Sequence, residues 1–200
     1  MKKSLRITTN LLAVAASFTL AAGAQAQAAS PTYSSMVSAG GAYADLNLGR
    51  SDYSLGNGIG VWDSSQGNTA YNARIGSYFN NNLGMEMGYT DFGSIDRAGG
   101  RTHGRGVNFS LVGKFPVTPA VNLLGKVGTT YSNTDVSAAA GSGVATGNAK
   151  GFGLSYGLGA EYAFTPQWSA LLEYESHDLK FAGDNKERVG VTTLGVRYHF

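Results

Sequence analysis

The chain has 200 residues, enough for one domain, with 14 % charged residues, 29 glycines and no cysteine. That composition excludes a disulfide-stapled secreted scaffold, and glycine without a fixed period excludes a collagen-like chain. The formal charge of +2 rests on Lys2, Lys3 and Arg6; the rest holds 12 basic against 13 acidic residues, net −1, so no nucleic-acid partner is expected.

Residues 1–28 read as a secretory signal peptide. Lys2, Lys3 and Arg6 are its positive region, and Leu11 to Ala22 its apolar stretch. That stretch is short of the ~20 residues of a spanning helix. Ala24-Gln25-Ala26 and Ala26-Gln27-Ala28 are both A-x-A sites, and cleavage is expected after Ala28 or Ala26. With no cysteine to acylate, no lipoprotein is expected. Residues 29–200 are expected to form a single barrel domain.

From there the sequence alternates with period two. Ala44, Leu46 and Leu48 oppose Tyr43, Asp45 and Asn47. Thr69–Phe79 alternates less cleanly, with Arg74 on its polar face. Met85, Met87 and Tyr89 oppose Gly84, Glu86, Gly88 and Thr90. Val107, Phe109 and Leu111 oppose Asn108, Ser110 and Val112. Val121–Tyr131 is again irregular, with Lys126 on the polar side. Phe152, Leu154, Tyr156, Leu158, Ala160 and Tyr162 oppose Gly153, Ser155, Gly157, Gly159 and Glu161. Trp168, Ala170, Leu172 and Tyr174 oppose Ser169, Leu171, Glu173 and Glu175, and Leu194, Val196, Tyr198 and Phe200 oppose Gly195, Arg197 and His199.

These stretches predict eight strands of about ten residues, the length of a tilted membrane strand. Short turns are expected at Asn80–Asn82, Pro116–Ala120 and Thr165–Gln167. Long loops rich in Gly, Ser, Asn and Asp are expected at about 53–68, 93–105, 132–150 and 177–187. No segment after residue 28 is apolar enough for a spanning helix, so a membrane crossing requires a closed barrel. A soluble barrel would put the apolar face inside. Rings near the strand ends, a Gly/Glu/Lys/Arg polar face and uncharged short turns favour the apolar face on lipid. The fold class is therefore all-β, an eight-stranded antiparallel up-and-down transmembrane barrel. Tyr71, Tyr78, Tyr89, Tyr156, Tyr162, Trp168, Tyr174, Tyr198 and Phe200 are candidates for its aromatic girdles.

The ordered set Gly84-Met85-Glu86-Met87-Gly88-Tyr89, Phe115-Pro116-Val117-Thr118, Gly159-Ala160-Glu161-Tyr162-Ala163-Phe164-Thr165-Pro166, Leu172-Glu173-Tyr174 and Leu194-Gly195-Val196-Arg197-Tyr198-His199-Phe200 resembles the OmpA-like transmembrane domain of outer-membrane proteins. The resemblance covers nearly all of the mature chain. It implies the outer membrane of a Gram-negative bacterium, short turns and termini in the periplasm, and long loops outside. Gly195-x-x-Tyr198-x-Phe200 looks like the signal read by the barrel-assembly machinery, since a terminal strand with outward rings can pair with another barrel edge. Relatives with a peptidoglycan-binding domain continue past this strand, so tethering through such a domain is not expected.

The resemblance also implies an interior charge cluster that blocks or opens a narrow path. Glu86, Glu161 and Glu173 match its acidic positions and Lys126 a basic one. Leu171 stands where relatives have an inward arginine, leaving Arg74 or Arg197 to substitute. The plainer reading is that these charges fill the lumen, because buried charge must be paired. Lys114, near a short turn, is expected to be solvated.

Two loops carry further candidates. Arg97, Arg101 and Arg105, with His103, form a basic patch suited to lipopolysaccharide phosphates or acidic glycans, unless Asp91 and Asp96 balance it. Tyr53, Ile59, Val61 and Trp62 are apolar residues of the first loop, suited to adhesion or to packing on the rim. No enzyme is expected. His103 falls in a predicted loop, His199 at the periplasmic end, and Ser176-His177-Asp178 is a poor triad because neighbours on a strand face opposite ways. No metal or cofactor is expected. The expected role is structural and surface-interacting, with a narrow pore as the alternative. The expected partners are outer-membrane lipid and lipopolysaccharide, the assembly machinery and a host or surface ligand, for a monomer.

Overall fold

A computed structural model describes residues 41–54, 67–97, 99–182 and 186–200, leaving the predicted signal peptide, Ile59, Val61 and Trp62 outside the described residues. Eight strands run in chain order: β1 (Ala42–Tyr53), β2 (Gly67–Tyr78), β3 (Leu83–Arg97), β4 (Gly100–Pro116), β5 (Val121–Val136), β6 (Gly147–Ala163), β7 (Trp168–Lys180) and β8 (Lys186–His199). Each pairs antiparallel with the next, and β1 pairs with β8, closing the barrel. Closure leaves no edge strand and satisfies every ladder internally, which a spanning sheet requires. Among the described residues no helix is long and apolar enough to cross a membrane.

The three short turns share one device. A side-chain oxygen at the turn start accepts the N–H three residues on: Asn80 Oδ1 from Leu83 at 2.8 Å, Thr118 Oγ1 from Val121 at 3.0 Å, and Thr165 Oγ1 from Trp168 at 2.9 Å.

The alternation resolves into an apolar outside and a mixed inside. Leu158 is 74 % exposed and Leu46 66 %, whereas Arg197 and Glu161 are fully buried. This is inverted relative to a soluble barrel and fits a wall facing lipid.

Strand runs into three of the four predicted loops. β3 and β4 leave only residues 98–99 of the expected 93–105 loop, β5 and β6 leave 137–146 of 132–150, and β7 and β8 leave 181–185 of 177–187. The strands are 12 to 17 residues long rather than ten because they run on past the apolar band. There the outer face carries polar and charged residues such as Arg101, His103 and Arg105, while the inner face stays packed. Tyr53, expected in a loop, ends β1 and points into the barrel, where it is buried.

Candidate functional site: the charged interior

The inward residues form three layers. In the middle lie Asp45 of β1, Arg74 of β2, Glu86 of β3, Lys126 of β5, Glu161 of β6, Glu173 and Glu175 of β7 and Arg197 of β8, all buried. Arg74 is the hub: Nε lies 2.7 Å from Asp45 Oδ1 and 3.6 Å from Glu86, Nη1 lies 2.8 Å from Glu175 Oε1, and Nη2 bonds Glu173. Lys126 Nζ sits 2.7 Å from Glu173, 3.0 Å from Glu86 and 3.3 Å from Glu175. Arg197 Nη2 lies 2.8 Å from Asp45 and 3.4 Å from Glu86, and its Nη1 lies 3.7 Å from Glu161.

Every guanidinium and ammonium in this layer therefore touches at least two carboxylates. Desolvating an ion costs several kcal/mol, and multiple partners are how a dry interior tolerates it. The long side chains fit because glycines face them. A Cβ on Gly157 would stand 2.8 Å from Glu175 Cγ, and one on Gly159 would stand 2.7 Å from Glu173 Cγ. Gly88 makes the same room for Arg74, and Gly195 for Asn47.

Toward the short-turn end lies a second layer. The Tyr43 hydroxyl donates to Glu86 at 3.0 Å, its ring lies 3.9 Å beneath the Arg197 guanidinium, and Tyr78 stacks beside it at 5.3 Å. His199 Nε2 lies 2.9 Å from Glu161 Oε1. Two expectations are corrected here. Tyr78 is not a girdle residue: it is buried, with its hydroxyl 3.4 Å from Arg197 Nη1. Lys114 is not solvated: it is buried with its ammonium 4.4 Å over the Tyr78 ring. Both arise because β2 carries its aromatic side chain on the inward parity, and the end of a small barrel is narrow enough for that ring to reach the lysine.

Toward the other end the interior turns apolar. Tyr53, Ala70, Phe92, Ile95, Val136, Leu179, Phe181, Val189 and Val191 form one buried cluster. His177 stands at its boundary with the charges: Phe92 meets its ring edge-on at 5.1 Å, Thr130 Oγ1 lies 2.8 Å from Nδ1, and Glu175 Oε2 lies 3.4 Å from Nε2. The gap among Ser110, Lys126, Ser155, Glu175 and His177 is too narrow to hold a water-sized sphere.

The basic patch differs from its reading as a loop. Arg101, His103 and Arg105 lie in β4, facing outward, and Arg97 ends β3 with its side chain outside the described residues. Arg101 pairs with Asp96 at 3.1 Å, and Arg105 is the ladder partner of Asp91.

A family model for the outer membrane protein beta-barrel domain matches residues 12–200. The chain belongs to that family. This outer membrane protein is 28 % identical over 138 residues to outer membrane protein A of Yersinia pseudotuberculosis serotype I (strain IP32953). The match covers 64 % of the chain and 39 % of that relative, so the chain spans about two fifths of its length. Neisserial surface protein A superposes with a TM-score of 0.58 at 17 % identity, over 80 % of this chain and 97 % of that one. Ail, the attachment invasion locus protein of Yersinia pestis, gives 0.54 at 19 % identity, over 80 % and 98 %. OprG of Pseudomonas aeruginosa gives 0.55 at 14 %, over 83 % and 99 %. At these identities the structural matches establish the fold alone. Family and fold together place the protein in the outer membrane of a Gram-negative bacterium.

The six interior residues expected from sequence, Arg74, Glu86, Lys126, Glu161, Glu173 and Arg197, lie in one layer of this outer membrane barrel. Arg74 and Arg197 both reach acids of this layer, and Leu171 is buried. Sequence reasoning left out Asp45 and Glu175, which bind both arginines and the lysine between them. Their polar-face parity was visible; the register that brings them to Arg74 was not.

Proposed function

We propose that the protein is a structural and surface-interaction barrel, closed to solutes, that presents its extended strands and their connections outside the cell. The observation that carries this reading is the apolar cluster around Phe92 and Leu179 stacked on the charged layer. A solute crossing the lumen would have to part the paired charges and then displace a packed core. Polar groups above the apolar band remain as the surface available to partners. In this reading residues 1–28 are removed as a signal peptide, the short turns and both termini face the periplasm, and the mature chain is a monomer in contact with outer-membrane lipid and lipopolysaccharide.

The acid surplus of the middle layer, Asp45, Glu86, Glu161, Glu173 and Glu175 against Arg74, Lys126 and Arg197, favours a second reading, a narrow cation path. Planar-bilayer recording of the refolded mature protein separates the two. The closed reading expects no unitary openings from wild type or Glu161→Ala. Stable openings altered by that substitution would replace it with the pore. For the surface role, cells expressing a chain without residues 138–146 should lose adhesion to host cells or matrix relative to wild type at equal surface display. Unchanged adhesion would remove that connection from the reading.

A further inference from the structure

One irregularity in the wall brings a nucleophile and a base together. Asp91 of β3 pairs with Arg105 of β4, but the next ladder pair is Ser94 with His103, so β3 spends one residue more than β4. Gly93, at φ +72°, supplies the bulge. On a regular strand, residues three apart face opposite sides. The extra residue instead puts Asp91 and Ser94 on the same outward face, in line with His103.

The three side chains are in register for acyl transfer. Ser94 Oγ lies 2.9 Å from His103 Nδ1, and His103 Nε2 lies 3.6 Å from Asp91 Oδ2. The second distance is longer than a hydrogen bond, as catalytic contacts commonly are before substrate binds. Asp91 is itself held from two sides: Oδ1 accepts the Gly93 N–H at 2.8 Å, and Oδ2 accepts the Tyr71 hydroxyl at 3.1 Å. The His103 side chain is 30 % exposed, open to a substrate, while that of Asp91 is 12 % exposed.

We propose that Ser94, His103 and Asp91 form a serine-hydrolase triad on the outer wall of the barrel, cleaving a carboxylic ester of an anionic lipid. With its proton on Nε2 toward Asp91, the His103 ring has a lone pair on Nδ1 for the Ser94 hydroxyl proton. Ser94 Oγ bonds to the acyl carbon as that proton passes to Nδ1. The tetrahedral adduct then breaks the ester C–O bond, and the imidazolium returns the proton to the departing alkoxide. Water attacks the acyl-serine, giving one proton to His103, which restores the Ser94 hydroxyl as the carboxylic acid leaves. Ester and water become acid and alcohol, with no other reactant. Asp91 and Tyr71 are positioning residues.

The substrate class follows from position and charge. Asp91 is the next outward residue after Met85, Met87 and Tyr89, at the edge of the apolar band, where acyl esters of a leaflet lie. Arg101 and Arg105 flank His103 in the same outward row, about 7 Å to either side, suited to a phosphate beside the ester. The outer leaflet as the source of this lipid rests on the orientation proposed above; the chemistry of Ser94 does not.

The test uses the folded mature protein in detergent, with folding verified by heat-modifiable gel mobility. A fluorophosphonate probe should phosphonylate Ser94, identified by peptide mass. p-Nitrophenyl ester hydrolysis should fall at least ~100-fold in both Ser94→Ala and His103→Gln, the scale of a lost general base. Asp91→Asn should lower kcat with KM kept, which a merely structural role would not do. No label on Ser94, or hydrolysis equal in wild type and Ser94→Ala, would overturn the triad. Fatty acid released from phosphatidylglycerol vesicles would make the substrate a phospholipid, and release only from vesicles containing lipid A would make it lipopolysaccharide. Release from neither would overturn the lipid assignment. A membrane-impermeant probe that labels Ser94 in lysed but not intact cells would keep the triad and overturn the orientation.

Discussion

Arg74 Nη1 and Glu175 Oε1 lie 2.8 Å apart although the residues are 101 positions apart on β2 and β7. The contact spans the lumen, so it forms only when the barrel is closed. Arg74→Met removes the hub and leaves Asp45, Glu173 and Glu175 short of cation. Breaking a buried pair from one side costs roughly 3–5 kcal/mol. Urea unfolding in lipid vesicles should show a loss of that size. A loss below about 1 kcal/mol would mean that Lys126 and Arg197 absorb the acids unaided.

Gly157 and Gly159 separate packing from pairing. Gly157→Val leaves every charge in place but drives a side chain into Glu175, whose Cγ would lie 2.8 Å from the new Cβ. Overpacking of this kind costs about 1–3 kcal/mol. Gly125→Ala, with open space on the lipid side, is the control and should be neutral in the same vesicle assay.

The alternation of β6 and β8 made the barrel legible, and it placed Glu161 and Arg197 inside. It was weaker on β2, whose outward face mixes Thr69, Tyr71, Ala73, Ile75 and Ser77, so nothing fixed the parity of Tyr78. It was silent on register. Asp45 and Glu175 read as polar-face residues, but only the pairing of β1 with β2 and the curvature of the wall make them partners of Arg74. The apolar upper layer escaped because Tyr53, Ile95 and Leu179 sit in stretches whose Gly, Ser and Asp content reads as loop. The grouping of Ser94 with His103 and Asp91 escaped because Ser94 and His103 fall in the predicted 93–105 loop, and because a one-residue bulge leaves no trace beyond Gly93.

The upper layer makes its own prediction. Phe92 is fully buried against His177 and its carbonyl accepts the Ser51 hydroxyl at 2.5 Å. Phe92→Ala should cost about 3–5 kcal/mol through the cavity it leaves. If this layer is the seal, the double variant Phe92→Ala/Leu179→Ala should give brief unitary openings in planar bilayers where wild type gives none. A silent double variant would shift the block to the charged layer below.

The last strand tests assembly apart from stability. Trp168, Tyr198 and Phe200 form an outward ring ladder at the short-turn end, with centroids 4.9 Å and 5.1 Å apart in succession. Phe200 is 74 % exposed, so its ring adds little to the packing of the finished barrel. An exposed terminal ring is instead available to a partner edge during insertion. Phe200→Ala should therefore refold in detergent with wild-type heat-modifiable mobility and near wild-type stability, while its yield in the outer membrane of cells falls several-fold. Equal losses in both settings would make Phe200 a residue of the fold. Equal yields in both would mean that Gly195 and Tyr198 suffice for the assembly machinery.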